Sequence, residues 1–365
     1  MKKILCIAAS MDTGGAETFL MKIFRGINKE QWHMDFCVTK QERGFYDNEI
    51  EENGGKIFRI TQKTESLKKF KKELSDVIKQ NSYDVVFRSG ASCFTALDLW
   101  VAKKCGVKVR VLRSSNAGTM QGRVQQLINV ICRKAMTSAA NVKMAPSMLA
   151  AEYTFGKKAA HNSVCILKNG LDVQRYVFNE QARQTIRQEL GIEDKFVVGH
   201  VGRFSAQKNH SFLIDIFHFF QKEKQKDSVL LLLGTGEDEE KIKAKVKELG
   251  IEDKVFFMGV KSNVVDYLMA MDMLLFPSLF EGMPNVVIEA QTTGLPCLIS
   301  DTITKEVMVT DCIKMLSLAE PKEVWSEEMK KINKKQDRRI YAQKMAQEGY
   351  EMQEVIERFC KEIDI

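Results

Sequence analysis

The densest chemistry in this chain lies in the segment Phe276-Pro277-Ser278-Leu279-Phe280-Glu281-Gly282-Met283-Pro284-Asn285-Val286-Val287-Ile288-Glu289-Ala290-Gln291-Thr292-Thr293-Gly294-Leu295-Pro296. Glu281 and Glu289 stand eight positions apart, the first in a loop marked by Gly282 and Pro284, the second about a turn and a half into a helix. Carboxylates so placed meet different parts of one ligand lying across the helix N-terminus. Their oxygens accept hydrogen bonds from sugar and ribose hydroxyls. Glu289 lies among Val286, Val287, Ile288 and Ala290, an unsuitable place for a freely solvated side chain.

A second loop, Gly199-His200-Val201-Gly202-Arg203-Phe204-Ser205-Ala206-Gln207-Lys208-Asn209-His210, sets an Arg and a Lys five positions apart beyond an apolar run. Two such cations suit a diphosphate, Arg203 through its planar fork and Lys208 as a point charge. Residue type alone also allows ordinary surface cations. A third loop, Ser10-Met11-Asp12-Thr13-Gly14-Gly15-Ala16-Glu17, lies between a strand pattern and a helix pattern. Its glycines let backbone N–H groups approach an anion at the positive end of a helix, although a tight turn needs the same residues. No Gly-x-Gly-x-x-Gly stands at that position and no Gly-x-x-x-x-Gly-Lys-Ser/Thr occurs, so the dinucleotide and Walker-type readings lose their fingerprints.

These loops must be held by the elements around them. Short β-rich runs alternate with helical patterns: Ile4–Ala9, a helix from Ala16, His33–Thr39, Lys56–Ile60, a helix over Glu65–Gln80, Val85–Arg88, a helix over Thr95–Cys105, and Lys108–Arg113. The alternation restarts with Phe196–Val201, a helix from His210, Val229–Leu233, a helix over Glu237–Leu249, Val255–Met258, Asp272–Phe276, a helix from Pro284 and Pro296–Ser300. Alternation of this kind predicts parallel sheets covered on both faces, two of them in series. The expected division is 1–172, 173–345 and a C-terminal helix over 346–365 that packs back on the first domain. The turn Asn169-Gly170 marks the boundary, and Met352, Val355, Ile356 and Phe359 form the returning stripe.

At 365 residues, with 44% hydrophobic and 28% charged residues, 5 Pro and 22 Gly, disordered and collagenous classes are excluded. No apolar run reaches the length of a membrane-spanning helix. The opening Met1-Lys2-Lys3-Ile4-Leu5-Cys6 is read as a first strand rather than a signal peptide, because Asp12 and Glu17 follow so soon. The 9 Cys form no Cys-x-x-Cys pair, as thiols of a reducing, cytoplasmic compartment would not. The 5 His form no metal-binding spacing, so surface or core imidazoles are expected. Residues 1–172 hold 28 Lys and Arg against 16 Asp and Glu, whereas 173–365 hold 27 against 32. Within the basic half, 101–151 has nine cations and no carboxylate. An anionic partner is expected there, phosphate groups or an acidic membrane surface rather than nucleic acid. The pattern Leu67, Phe70, Leu74, Val77 and Ile78, flanked by lysines, offers an amphipathic face to such a surface, or else covers the sheet.

Gly14-Gly15-Ala16-Glu17, Gly202-Arg203-Phe204 with Gln207-Lys208-Asn209-His210, Gly234-Thr235-Gly236-Glu237 and Glu281-Gly282-Met283-Pro284 through Glu289 resemble, in order, the motifs of retaining family 4 glycosyltransferases. Asn169-Gly170-Leu171-Asp172 is similar to their interdomain signature. The likeness spans about residues 1–320 and looks closest to bacterial capsular and exopolysaccharide enzymes. It implies the GT-B fold, an α/β architecture of two Rossmann-like doubly wound domains facing across a cleft. It also implies transfer of a hexose or N-acetylhexosamine from a UDP-sugar to a saccharide or lipid-diphosphate-linked acceptor.

Under that resemblance, Gly14, Gly15 and Gly202 admit the donor phosphates, and Arg203 and Lys208 neutralise the diphosphate. Glu281 with the backbone of Gly282, Met283, Pro284, Asn285 and Val286 meets the donor sugar and phosphate. Glu289 holds the ribose diol, and the base lies near Val260 and Lys261. Where relatives carry His-Ser-His-Asn, this chain reads Arg113-Ser114-Ser115-Asn116, so the acceptor side is assigned to Arg113, Ser115 and Asn116 without the family's imidazole. No Asp-x-Asp occurs, so no metal and no cofactor is expected. Two rivals remain open: a GT-B sugar-nucleotide epimerase, and a donor-binding partner subunit without catalysis.

Overall fold

The computed structural model describes residues 1–90, 93–114, 130, 131, 133, 134, 137–331 and 337–365. These divide into two units, Met1–Gly170 with Met352–Ile365, and Leu171–Glu351.

The first unit holds β1 (Lys2–Ala8), β2 (Trp32–Val38), β3 (Ile57–Arg59), β4 (Val85–Ser89), β5 (Val109–Arg113), β6 (Val142–Ala145) and β7 (Cys165–Ile166). They form one parallel sheet in the order β3-β2-β1-β4-β5-β6-β7. Burial along β1 is continuous because helices cover both faces. Ile4 and Cys6 pack on one side with Phe24 and Phe36, and Leu5 and Ile7 on the other with Phe70, Leu74 and Ile78.

That second cluster decides between the two readings of the Leu67–Asn81 helix in favour of sheet cover. Its Phe70, Leu74 and Ile78 are buried on the sheet, and only Leu67, 46% exposed, faces outward. Once its stripe covers β1, the helix has no apolar face left for a lipid surface.

The chain's return to the first unit is the helix Met352–Ile363, whose Val355, Ile356, Phe359 and Ile363 join the cluster of Ile4 and Cys6. The return begins at Met352, six residues beyond the expected 346, and the first unit ends at Gly170 rather than 172. Tyr350 accounts for the difference: it is buried in the core of the second unit, and its carbonyl accepts from Leu171 N at 2.8 Å. At Gly170 a Cβ would lie 2.7 Å from Met352 Sδ and 3.0 Å from its Cα, so the strand of chain leaving the unit and the one returning touch backbone to backbone.

The second unit holds β8 (Phe196–Val201), β9 (Ser228–Leu233), β10 (Val255–Gly259), β11 (Met273–Phe276), β12 (Cys297–Ser300) and β13 (Ile313–Leu316), all parallel, in the order β10-β9-β8-β11-β12-β13. Strand order reverses between β1 and β4 in the first sheet and between β8 and β11 in the second. Loops leaving such a pair diverge and open a crevice at the carboxyl edge.

Phe359 is fully buried and meets Phe87 edge to face at 5.8 Å between centroids. Phe359→Ala is expected to destabilise the first unit by about 3–5 kcal/mol through the cavity it leaves. Calorimetric unfolding reads this, and a change below about 1 kcal/mol would mean that the helix is only loosely held.

Candidate functional site

In the second unit, the loops after β8 and β11 flank the point of strand reversal, and they carry Arg203, Lys208 and Glu281. The loop after β8 is interlocked with the one after β9. Gly234 has φ +128°, and a Cβ there would stand 2.1 Å from Gly202 O; at Gly236 it would stand 2.3 Å from Phe204 O. Phe204 N donates to Thr235 O and Asp238 N to Phe204 O, both at 3.0 Å. Towards β11, Leu279 N donates to Gln207 O (2.8 Å), Gln207 Nε2 to Phe280 O (3.0 Å) and Asn209 Nδ2 to Pro277 O (3.1 Å). One backbone-tied body therefore carries both motifs.

Lys208 Nζ meets Glu281 Oε1 at 2.7 Å, with side chains 17% and 12% exposed, and lies 4.7 Å from the centre of the Phe276 ring. The structure thus joins Lys208 to Glu281, and sets Arg203 apart. Arg203 is 73% exposed and pairs with Glu237 at 3.0 Å. Glu281 is further placed by a bridge to Ile303, and the carbonyl of Ser278 accepts from Thr302 Oγ1 at 2.9 Å. Gly202 is close-packed: a Cβ would lie 3.1 Å from both His200 Nε2 and Lys208 Cε.

Pro284 caps the helix Asn285–Thr292, with Gly282, Met283, Asn285 and Val286 half-buried around its start. Glu289 stands one turn into that helix and is hydrogen-bonded by the hydroxyl of Tyr176, from the turn Val173–Tyr176. Burial, followed by the charge of Glu289, pushes the Tyr176 phenol up. Beyond β10, Val260 is exposed and Lys261 Nζ lies 5.8 Å from the Tyr267 ring centre.

Sequence reasoning left two residues of this site without a role. His200, at the end of β8, stacks on Phe276 (5.2 Å) and meets His210 edge to face (4.7 Å), while His210 stacks on Phe204 (4.2 Å). His200 Nδ1 lies 2.9 Å from Leu275 O, but His200 Nε2 and both His210 nitrogens are buried without hydrogen-bond partners. Burial lowers both pKa values, His200 far below the ordinary imidazole range, with His210 second, and His210 to about 4, with Lys208 second. Two neutral imidazoles therefore lie beneath the Lys208 side chain. The sequence signal was present in the Gly-His-Val-Gly and Asn-His pairs, but burial was not readable from it.

In the first unit, Gly14 caps the helix Gly15–Gly26 in extended conformation, and Gly15 has open space around its Cβ position. Arg113 is turned inward rather than towards solvent. It is 2% exposed, lies 3.8 Å from the Phe19 ring centre and donates to Asn169, and burial lowers its pKa to about 9. Ser115 and Asn116 lie outside the described residues. Among the described residues no cluster of His, Cys, Asp and Glu could hold a metal ion, and no helix is long and apolar enough to cross a membrane.

Residues 182–352 match the family described as glycosyl transferases group 1. EpsF of Bacillus subtilis, named as a glycosyltransferase, is 30% identical over 364 residues, covering 97% of this chain and 94% of that one. The chain belongs to the group 1 glycosyltransferases. CapH of Staphylococcus aureus, named for capsular polysaccharide biosynthesis, is 24% identical over 84% of this chain and 82% of its own. Among solved structures, HepE of Anabaena in complex with UDP superimposes with a TM-score of 0.82 at 17% identity, over 100% of both chains. That likeness shows the fold, GT-B.

Two outcomes follow for this glycosyltransferase. Arg203→Ala is expected to change stability by less than about 1 kcal/mol, because its ion pair is exposed. Lys208→Ala strands Glu281 in a half-desolvated place and is expected to cost about 2–3 kcal/mol. Equal melting temperatures for the two variants would show the Lys208 pair to be as dispensable as the exposed one.

The histidines give a pH dependence. Unfolded imidazoles take protons near their ordinary pKa, whereas folded His210 does so only near pH 4. Between those values the unfolded state binds more protons, so stability falls as pH drops through that window, by up to about 3 kcal/mol for His210. Denaturant midpoints from pH 7 to 4.5 should fall more steeply in the wild type than in His210→Gln; matching slopes would refute the buried neutral state.

Proposed function

We propose that this enzyme is a retaining transferase. It moves a hexose or N-acetylhexosamine from a UDP-sugar to a saccharide or lipid-diphosphate-linked acceptor, in surface polysaccharide synthesis at the cytoplasmic face of the membrane. The observation that carries this is the Lys208–Glu281 pair at the strand reversal of the second sheet, with Glu289 on the helix immediately behind. The naming of CapH for capsular polysaccharide and the UDP held by HepE support the substrate class. The cationic excess of residues 1–172 supports an anionic surface as a partner.

Bond cleavage in a nucleotide sugar builds negative charge on the departing diphosphate, so catalysis is chiefly electrostatic. Lys208, Arg203 and the first N–H groups of the helix Asn285–Thr292 supply fixed positive potential there without a metal. Glu281, once its lysine turns to phosphate, is free to accept hydroxyl hydrogen bonds from the donor sugar. Tyr176 orients Glu289 for the ribose diol. The leaving phosphate receives the acceptor proton, so the missing family histidine before Asn116 takes away no base. Turnover of a UDP-sugar panel with and without acceptor tests this reading: a pure binding subunit turns over nothing, and an epimerase works without acceptor.

The two glutamates should separate in UDP calorimetry. Glu289→Gln is expected to weaken UDP binding roughly tenfold by loss of a charged hydrogen bond, and Glu281→Gln chiefly to lower kcat for transfer. Equal losses of UDP affinity would contradict the division of roles.

A further inference from the structure

The first unit carries a concavity of about 800 Å3 at the edge of its sheet away from the strand-exit loops. Its position follows from the chain path. Lys143 lies one residue into β6, Gly156 follows the helix Met148–Phe155 that brings the chain back from the carboxyl edge, and Ser163 precedes β7. A ligand here would therefore sit at the amino edge, remote from Gly14, Ser89 and Arg113 at the other.

Five cations line it, Arg133, Lys134, Lys143, Lys157 and Lys158, and no carboxylate does. Between Asp98 and Asp172 the chain has twelve Lys and Arg and a single carboxylate, Glu152, so the sequence neighbours of this lining cannot supply a counter-charge. Glu152 does not line the hollow, and its Oε1 is hydrogen-bonded with His161 Nε2 at 3.1 Å. None of the five forms an ion pair among the described residues. Glu362, from the returning helix, lines the adjoining concavity together with Arg358.

Arg133 makes this a built feature rather than a sparse lysine surface. Its Nη2 donates to Tyr153 O at 3.1 Å, and its Nε is buried without a partner. The guanidinium lies against bare backbone: a Cβ at Gly156 would be 3.0 Å from Arg133 Cδ and 3.1 Å from Nη1, and Gly156 also needs φ +84°. Like charges gathered around one hollow repel, and a multivalent anion relieves that repulsion better than scattered monovalent counterions. Lysines as point charges with one planar arginine fork are a phosphate-binding set.

We propose that this amino-edge concavity binds a phosphate group, as a second anion site distinct from the donor site and independent of the reaction assigned above. The phosphate comes either from a soluble phosphate ester or from a lipid headgroup, and two arms of one experiment separate these sources. The first titrates inorganic pyrophosphate into Lys208→Ala protein, where donor-site binding is weakened. The second floats wild-type protein with phosphatidylcholine vesicles with or without phosphatidylglycerol. Lys157→Gln/Lys158→Gln and Lys134→Gln/Lys143→Gln are each compared with Lys68→Gln/Lys72→Gln, which removes the same charge from the Leu67–Asn81 helix.

Binding in at least one arm is expected to weaken roughly tenfold or more in both site variants and little in the control pair, with kcat for transfer unchanged. Loss in the pyrophosphate arm alone identifies a soluble ester, loss in the vesicle arm alone a headgroup, and loss in both the shared chemistry. Site variants that match wild type in both arms, or a control pair that loses as much as they do, would overturn the proposal. Circular dichroism spectra superimposable on wild type confirm that these substitutions, exposed except for half-buried Lys143, leave the fold intact.

Discussion

The geometry around Lys208 and Glu281 depends on one steric constraint, the contact between the backbone of Gly234 and the carbonyl of Gly202. With φ +128° and a would-be Cβ 2.1 Å from that oxygen, position 234 admits no side chain unless the loop after β8 moves. That loop cannot move freely. Gln207 and Asn209 tie it to the backbone after β11, and Gly202 N is bonded to Leu233 O at 2.9 Å. The reach of Lys208 and the placing of Glu281 are thus set by backbone packing before any ligand arrives, which is how a site acquires preorganised electrostatics.

Within that frame Lys208 and Glu281 satisfy one another. A half-desolvated ion pair at 2.7 Å adds little net stability, because the cost of removing both charges from water offsets most of the attraction. Its consequence is exclusivity. Under the function proposed above, a diphosphate at Lys208 would have to compete with the Glu281 carboxylate, and displacing it would release an acceptor for hydroxyl groups. The buried neutral imidazoles of His200 and His210 suit the same place, since a protonated ring there would add positive charge directly under Lys208. Arg203, in water and paired only with exposed Glu237, can reorient at almost no cost.

What was legible in the sequence tracks how local its cause is. The runs forming β1, β8 and β11 are apolar on both faces and were readable as strands; so were the glycine pairs and the eight-residue glutamate spacing. β6 (Val-Lys-Met-Ala), β7 (Cys-Ile) and β13 (Ile-Lys-Met-Leu) were not, being two to four residues long, with a lysine interrupting two of them, and lying towards one side of their sheets. The same limit explains Arg113. A strand-final arginine before a loop resembles a ligand-facing cation, and only the positions of Phe19 and Asn169, distant in sequence, turn it inward. Likewise the lysine-flanked stripe of Leu67–Asn81 carries an identical signal whether it meets a lipid or β1, and the sheet took it.

The charge asymmetry between the halves is also more local than a whole-half count suggests. Up to Asp98 the chain is nearly balanced, and its half-buried cations Arg88 and Lys63 share the Asp98 carboxylate at 2.9 and 2.6 Å. In the second unit Arg183 and Arg187 share Asp272, each at 2.7 Å, while Arg338 is held by backbone carbonyls. Cations with structural work therefore come with an acceptor built in. Almost all the excess of residues 1–172 falls between Asp98 and Asp172, where the sequence has twelve basic residues and a lone glutamate. Within that stretch, Arg133, Lys134, Lys143, Lys157 and Lys158 gather around one hollow without ion-pair partners among the described residues, and a set so gathered produces a directed field rather than a diffuse one.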